Sequence, residues 1–278
     1  MWKHKLCMGT GPSLQLPLPE QIRLIAKVGF DGFFVNWSQG MDLQALRALG
    51  DTLGLYFQSV HAPFGRVQNL WQETELTREV LEEQLTCLRE TAAAGVDLVV
   101  CHVFIGFKDH TPTQFGIDNY RVMVEEARRL GIRIAFENTE GEEYLHAVME
   151  AFAEEAHVGF CWDTGHEMCY NHSQDLLERY GSRLFGTHLN DNLGIKDYEG
   201  QITFHDDLHL LPFDGIANWQ NVAARLDREG FEGPLTFELK YTTTLNGCDH
   251  RIYGHMSVEA YLTQAYIRAC RVAALRNR

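Results

Sequence analysis

The chain has 278 residues, of which 45% are hydrophobic, and its formal net charge is −14. This length fits one (β/α)8 barrel or two smaller domains. The negative charge argues against a nucleic-acid backbone as the main partner, because such binding depends on lysine and arginine replacing counterions. No apolar stretch has the length of a signal-peptide core or a membrane span, so a cytoplasmic protein is expected. Seven cysteines without paired spacing argue against a disulfide framework.

Apolar runs alternate with helical patterns along the chain. The predicted strands are Lys5–Gly9, Gly32–Trp37, Leu55–Val60, Leu98–Cys101, Ile132–Phe136, His157–Trp162, Arg183–Thr187 and Pro234–Phe237. The predicted helices are Pro19–Val28, Asp42–Leu53, Glu73–Ala94, Thr113–Leu130, Glu142–Glu155, Ser173–Tyr180, Asn218–Glu229 and Ser257–Leu275. Eight such pairs predict a single (β/α)8 TIM barrel over residues 1–278, with parallel strands covered on both faces.

Several apolar runs stop at a residue type that binds metals. One strand stops at Asp163, and His166 follows after a glycine turn. Other strands stop at Glu137, His188 and Glu238 in the same way. The intervals from Glu137 to Glu238 are 26, 25 and 50 residues, so one interval is twice the others. This spacing is typical of a repeated strand–helix unit with a long insertion before the last strand.

Residues at strand ends are important because barrel active sites lie at the C-terminal ends of the strands. The residues that fall there are His61, His102, Glu137, Asp163, His188 and Glu238. Carboxylates gathered at one mouth would repel one another without a cation. We therefore predict a metal site, although polar strand-end residues can also be satisfied by the backbone of nearby loops.

The set of three carboxylates and one imidazole, Glu137, Asp163, His188 and Glu238, suits one divalent ion: Mn²⁺, Co²⁺, Mg²⁺ or Zn²⁺. Such an ion can hold two neighbouring sugar oxygens and polarise a carbonyl, which lowers the cost of removing the proton from the adjacent carbon. Two of the carboxylates can then act as base and acid on opposite faces of the substrate.

Six short motifs occur in an order and spacing that resemble a known family. They are HAPFG, FENTEG, WDTGH, THLNDN, DLHLLPFDG and TFELK. Together they resemble the sugar isomerase and epimerase branch of the xylose-isomerase-like TIM barrels, a superfamily that also contains endonuclease IV. The resemblance runs from about the second strand to the last, and it implies a small sugar or sugar phosphate as substrate. Homo-oligomers are common among such barrels, which leaves that state open here.

The resemblance also implies roles for individual residues. The implied metal ligands are Glu137, Asp163, His188 and Glu238. Glu137 and Glu238 would be the proton-transfer pair, acting through an enediolate-like intermediate. The candidate substrate contacts are His61, His102, Glu143, His166, Asp207 and His209. Of these, His166 and Glu143 match positions that hold substrate hydroxyls in ketose 3-epimerases. The arginine that those enzymes carry six residues after the metal histidine is replaced here by Gly194, with Lys196 close by.

Two other functions stay open at this point. Endonuclease IV binds three zinc ions through nine ligands, and similar places here are occupied by His61, His102, Glu137, Asp163, His166, His188, Asp207, His209 and Glu238. The net charge and the few basic residues near the rim, Arg66, Lys108, Lys196 and Lys240, argue against that hydrolase. A barrel that binds sugar and metal without turnover is the third candidate. Glu143 also suits the first turn of a helix, and Asp207 and His209 also suit a loop brace.

Overall fold

Eight parallel strands form the inner layer of the computed structural model, which describes residues 4–108, 111–195, 201–241, 243–245, 248–250 and 253–276. The strands are β1 (Leu6–Gly9), β2 (Gly32–Asn36), β3 (Tyr56–His61), β4 (Leu98–His102), β5 (Arg133–Glu137), β6 (Val158–Asp163), β7 (Leu184–His188) and β8 (Leu235–Phe237). They pair in chain order, and β1 also pairs with β8. Between β7 and β8 the Leu189 amide donates to the Thr236 carbonyl at 2.8 Å, which brings the barrel close to closure.

Helices cover the outside of this barrel. They are α1 (Leu18–Val28), α2 (Leu43–Leu53), α3 (Thr77–Ala93), α4 (Gln114–Leu130), α5 (Glu142–Ala151), α6 (Thr164–Cys169), α7 (Leu176–Tyr180), α8 (Trp219–Arg228) and α9 (Val258–Ala274). The predicted (β/α)8 barrel is therefore confirmed. In the described part of the chain, no helix combines the length and the apolar character that crossing a bilayer requires.

Side chains that alternate along each strand separate two apolar regions. Val99 and Ile134 belong to the large cluster between strands and helices, whereas Leu98, Val100 and Ala135 form a small separate cluster. Because neighbours in a strand point to opposite faces, the small cluster fills the barrel interior. These apolar side chains pack between the strands inside the barrel, and the C-terminal mouth is left to polar residues.

The register of the strands decides which polar residues are neighbours at that mouth. His102 pairs with Glu137, and Asp163 pairs with His188. Asn36 pairs with His61 on the other side of the barrel. The last residues of adjacent strands are therefore aligned side by side, which is the condition for a shared site.

The structure departs from the predicted elements mainly at helix starts. Helix α3 begins at Thr77 and not at Glu73, because the Thr77 hydroxyl is used to close the preceding turn: it accepts the Thr74 amide at 2.9 Å. Helix α7 begins after Asp175, whose side chain caps it by accepting the Glu178 amide. The short helix α6 and a hairpin of β9 (Thr243–Leu245) and β10 (Cys248–His250) were not predicted.

Candidate metal centre at the C-terminal mouth

Four of the predicted ligands converge from four consecutive strands. One donor atom from each of Glu137, Asp163, His188 and Glu238 lies within 4.8 Å of the others. His188 Nδ1 lies 2.8 Å from Glu137 Oε1 and 3.3 Å from Glu238 Oε2. Glu137 and Asp163 are fully buried, and Glu238 is partly buried with a side chain that is 21% exposed. The arrangement gathers three carboxylates around one imidazole at the end of the barrel interior.

The charges of this cluster are balanced only with a cation. Burial raises the pKa of Asp163 to about 6. Burial alone would favour neutral His188, but Glu137 and Glu238 hold the pKa of the imidazole well above its usual range. Three carboxylates against a single imidazole leave an excess of negative charge, which a divalent ion would neutralise. The donor set therefore fits a divalent metal ion.

Residues behind Asp163 fix the orientation of its carboxylate. The His166 amide donates to Oδ1 at 2.7 Å, and Asn190 Nδ2 donates to Oδ2 at 2.8 Å. Asn138 hydrogen-bonds both the amide and the carbonyl of Asp163. Gly165 has no room for a side chain, because a Cβ there would lie 1.9 Å from Asn190 Oδ1. The glycine of the WDTGH motif thus lets Asn190 reach the candidate ligand.

His61 and His102 form a second group on the other oxygen of Glu137. Their Nε2 atoms lie 3.2 Å and 3.3 Å from Glu137 Oε2. His61 Nδ1 donates to the Ala62 carbonyl at 2.8 Å, and its Nε2 atom lies within hydrogen-bond distance of the carboxylate. Burial lowers the pKa of His102 to about 4, so this ring is neutral. Two ring nitrogens beside one carboxylate oxygen can share protons through hydrogen bonds or can together bind a cation.

His166, Asp207 and His209 form a third group, with donor atoms within 4.8 Å of one another. Asp207 Oδ2 lies 2.8 Å from His209 Nε2 and 3.7 Å from His166 Nε2. Lys240 Nζ donates to the same oxygen at 3.0 Å. His209 has a φ of 46°, a left-handed conformation that a side chain adopts only when its surroundings hold it.

An aromatic wall leads from these groups toward solvent. The ring centroids of His166 and Tyr170 are 5.2 Å apart, those of Tyr170 and Phe107 are 6.0 Å apart, and those of Phe107 and Phe204 are 4.7 Å apart. Phe107 and Tyr170 line a cavity of about 280 Å³. Rings of this kind can pack on the apolar face of a small ligand while polar groups hold its oxygens.

Two glutamates, Glu143 and Glu140, line the cavity beside this wall. Glu143 lies in the first turn of α5 and lines the cavity. Glu140 lines the same cavity but is buried, and its carboxylate accepts the Gly106 amide at 2.8 Å. Glu140 was missed from the sequence, although it follows Glu137 at the spacing at which His166 follows Asp163. Lys196, the basic residue near the missing arginine, lies outside the described residues.

The fold and the mouth together define a class of barrel, and comparison with known proteins identifies the family. Residues 9–255 match the model of the xylose isomerase-like TIM barrel. The chain belongs to this family. It is also 32% identical over 165 residues to the uncharacterized protein y4fM of Sinorhizobium fredii, a match that covers 53% of this chain and 48% of that protein. The chain thus spans about half the length of the curated relative it matches.

Several solved structures have a fold similar to that of this chain. IolI with a bound zinc atom is 16% identical, with a TM-score of 0.74 over 97% of this chain and 98% of that chain. D-psicose 3-epimerase of Clostridium cellulolyticum H10 with D-tagatose is 15% identical, with a TM-score of 0.71 over 97% and 99%. The 3-keto-D-glucoside 4-epimerase YcjR of E. coli is 17% identical, with a TM-score of 0.65 over 93% and 98%. A longer fusion chain with a dioxygenase matches over only 44% of its length. At these identities the likeness concerns the fold.

Proposed function

We propose that the protein is a divalent-metal-dependent isomerase or epimerase of a sugar or sugar phosphate. The observation that carries this proposal is the convergence of two glutamates, Glu137 and Glu238, on one candidate metal site with His188 between them. The ligands would be Glu137, Asp163, His188 and Glu238. A divalent ion bound there would polarise the carbonyl of a bound sugar and so acidify the adjacent carbon.

Either glutamate is suited to act as the base. Burial alone would favour their neutral forms, but the imidazole of His188 holds the pKa of Glu137 and of Glu238 well below the usual range. One carboxylate would remove the proton from the carbon next to the carbonyl, giving an enediolate-like intermediate. For inversion, the other glutamate would enter the step as the acid and deliver its proton to the opposite face. For isomerisation, the glutamic acid formed in the first step would return its proton to the neighbouring carbon, while the hydroxyl proton passes to the former carbonyl oxygen.

Residues around the mouth fit a small polyhydroxylated ligand. His166 and Glu143 are the candidate contacts for its hydroxyls, and His61, His102, Asp207 and His209 line the same end of the barrel. Phe107 and Tyr170 supply the apolar side of the cavity. Epimerases are named among the solved structures of similar fold, which supports the reaction class but does not select the sugar.

Solvent-proton exchange is the direct test of this function. Metal-loaded protein is incubated in D₂O with a panel of ketoses, aldoses and their phosphates, and deuterium at the carbon next to the carbonyl is followed by NMR. Glu137→Gln and Glu238→Gln should each lower exchange by about 10²- to 10⁴-fold. Glu126→Gln is the matched control and should leave exchange unchanged, because Glu126 lies on α4 and pairs there with Arg89 and Arg129. Full turnover in both active-site variants would refute the proton-transfer assignment, and binding of sugar without exchange would support the non-catalytic candidate.

A zinc-dependent phosphodiester hydrolase acting on damaged DNA is a second candidate. The observation in its favour is that three groups, two of them sharing Glu137, bring nine donor residues together in the way the endonuclease IV resemblance predicts. Against it, Arg66 is already paired with Glu79 and Glu83, and the net charge is −14. The hydrolase would cleave DNA containing an abasic site and bind it with strong salt dependence, whereas the isomerase would do neither.

A further inference from the structure

The group formed by His166, Asp207 and His209 contains a cation of its own. Lys240 Nζ lies 3.0 Å from Asp207 Oδ2, the oxygen that His209 Nε2 also approaches at 2.8 Å. The Lys240 side chain is 37% exposed, whereas those of the two histidines are 6% and 4% exposed. The ammonium group thus reaches this group from the solvent side and meets its carboxylate.

The two imidazoles turn their Nε2 atoms toward this carboxylate. His166 Nδ1 is 2.9 Å from the Asn138 carbonyl, and His209 Nδ1 is 3.1 Å from the Glu238 carbonyl, so each Nδ1 carries the proton. The Nε2 atoms then face Asp207 Oδ2, at 2.8 Å for His209 and 3.7 Å for His166. Metal-binding histidines are oriented in the same way, with one ring nitrogen donating to a carbonyl and the other turned toward the site.

We propose that the Lys240 ammonium is the built-in cation of this group and takes the place of a metal ion there. A zinc ion would need the Asp207 oxygen at about 2.0–2.2 Å. The ammonium already holds Oδ2, and a divalent ion on the remaining oxygen, Oδ1, would lie beside a like charge at close range. The position of Lys240 is also fixed through the backbone, because its amide donates to the His209 carbonyl at 3.0 Å.

The assignment gives the three groups different roles. The Glu137 groups remain available to a metal, whereas Lys240 and the two histidines become fixed hydrogen-bonding groups that can meet substrate oxygens. Lys240 is then a positioning residue that holds Asp207. Its presence is a difference from a three-metal hydrolase, in which this group would bind a metal ion. The inference rests on the proposed metal centre but not on any reaction.

The test is the number of zinc ions per chain at saturation, measured by elemental mass spectrometry after removal of free metal. Lys240→Met should bind one more ion per chain than the wild type, because it removes the positive charge and frees Asp207 Oδ2. Lys240→Arg keeps the charge and should match the wild type. Lys27→Met is the matched control, since Lys27 pairs with Glu259 on the outer surface. Three ions in the wild type, or no gain in the Lys240→Met variant, would overturn the proposal.

A second variant keeps the test decisive if Lys240→Met does not fold. Asp207→Asn in the wild-type background should leave the zinc count unchanged, whereas it should remove one ion if this group holds a metal. In the double variant Lys240→Met/Asp207→Asn the extra ion should be lost. A wild type with no bound zinc at all would count against the proposed metal centre, but the difference between the variants would still decide the role of Lys240.

Discussion

Replacing Asn190 with alanine tests whether residues behind the candidate ligands control metal affinity. Asn190 Nδ2 donates to Asp163 Oδ2 at 2.8 Å, and both side chains are fully buried. A hydrogen bond to a charged group contributes about 1.5–3 kcal/mol. Since about 1.4 kcal/mol is a tenfold change in an equilibrium constant, Asn190→Ala should weaken metal binding by roughly 10- to 100-fold.

The assay is a competition titration of Mn²⁺ or Zn²⁺ against a fluorescent chelator at fixed pH. Asn218→Ala is the matched control, because Asn218 caps α8 by accepting the Asn221 amide at 3.0 Å, away from the mouth. It should cost about 1 kcal/mol of unfolding free energy and leave the metal affinity unchanged. Gly165→Ala should act in the same direction as Asn190→Ala, since its Cβ would displace the Asn190 side chain.

Wild-type affinity in the Asn190→Ala variant would refute this reasoning, provided that thermal melts show a folded protein. An equal loss in Asn190→Ala and Asn218→Ala would also refute it, because the effect would then come from general destabilisation. A loss confined to Asn190→Ala and Gly165→Ala would link the WDTGH glycine to the orientation of Asp163.

Two stability predictions concern charges outside the mouth. Arg225→Met should lower the free energy of unfolding in urea by about 3–5 kcal/mol, because it leaves the buried Glu167 carboxylate without the guanidinium that binds both of its oxygens. Arg228→Met should lower it by at most about 1 kcal/mol, because the Arg228 side chain is 45% exposed. Equal losses would contradict this. Arg129 holds the pKa of Glu126 at about 2, below its ordinary 4.5. Above pH 4.5 the free energy of unfolding of the wild type should therefore exceed that of Glu126→Gln by roughly 1 kcal/mol. This difference should shrink as the pH falls toward 2. A difference that stays constant with pH would argue against the ion pair.

The gathering of polar strand-end residues at one site was predictable, because in a barrel residues that end successive strands in the sequence lie at the same mouth. Glu137, Asp163 and His188 each stop an apolar run, and parallel strands in one barrel place their C-terminal ends at one mouth. The structure brings these residues and Glu238 within 4.8 Å. The start of α3 was not predictable from periodicity, because it depends on the hydrogen bonds that Thr77 makes within the preceding turn.

The sequence by itself determined the eight-fold alternation, the barrel and the residue types at its mouth, since these follow from local periodicity and turn residues. Only the tertiary structure decided which charged residues form ion pairs with one another. Lys240 meets Asp207 across 33 residues of chain, and Arg225 meets Glu167 across 58. Such contacts depend on the packing of the long loops and the outer helices, which no local pattern encodes. They determine which carboxylates remain available to bind a metal ion.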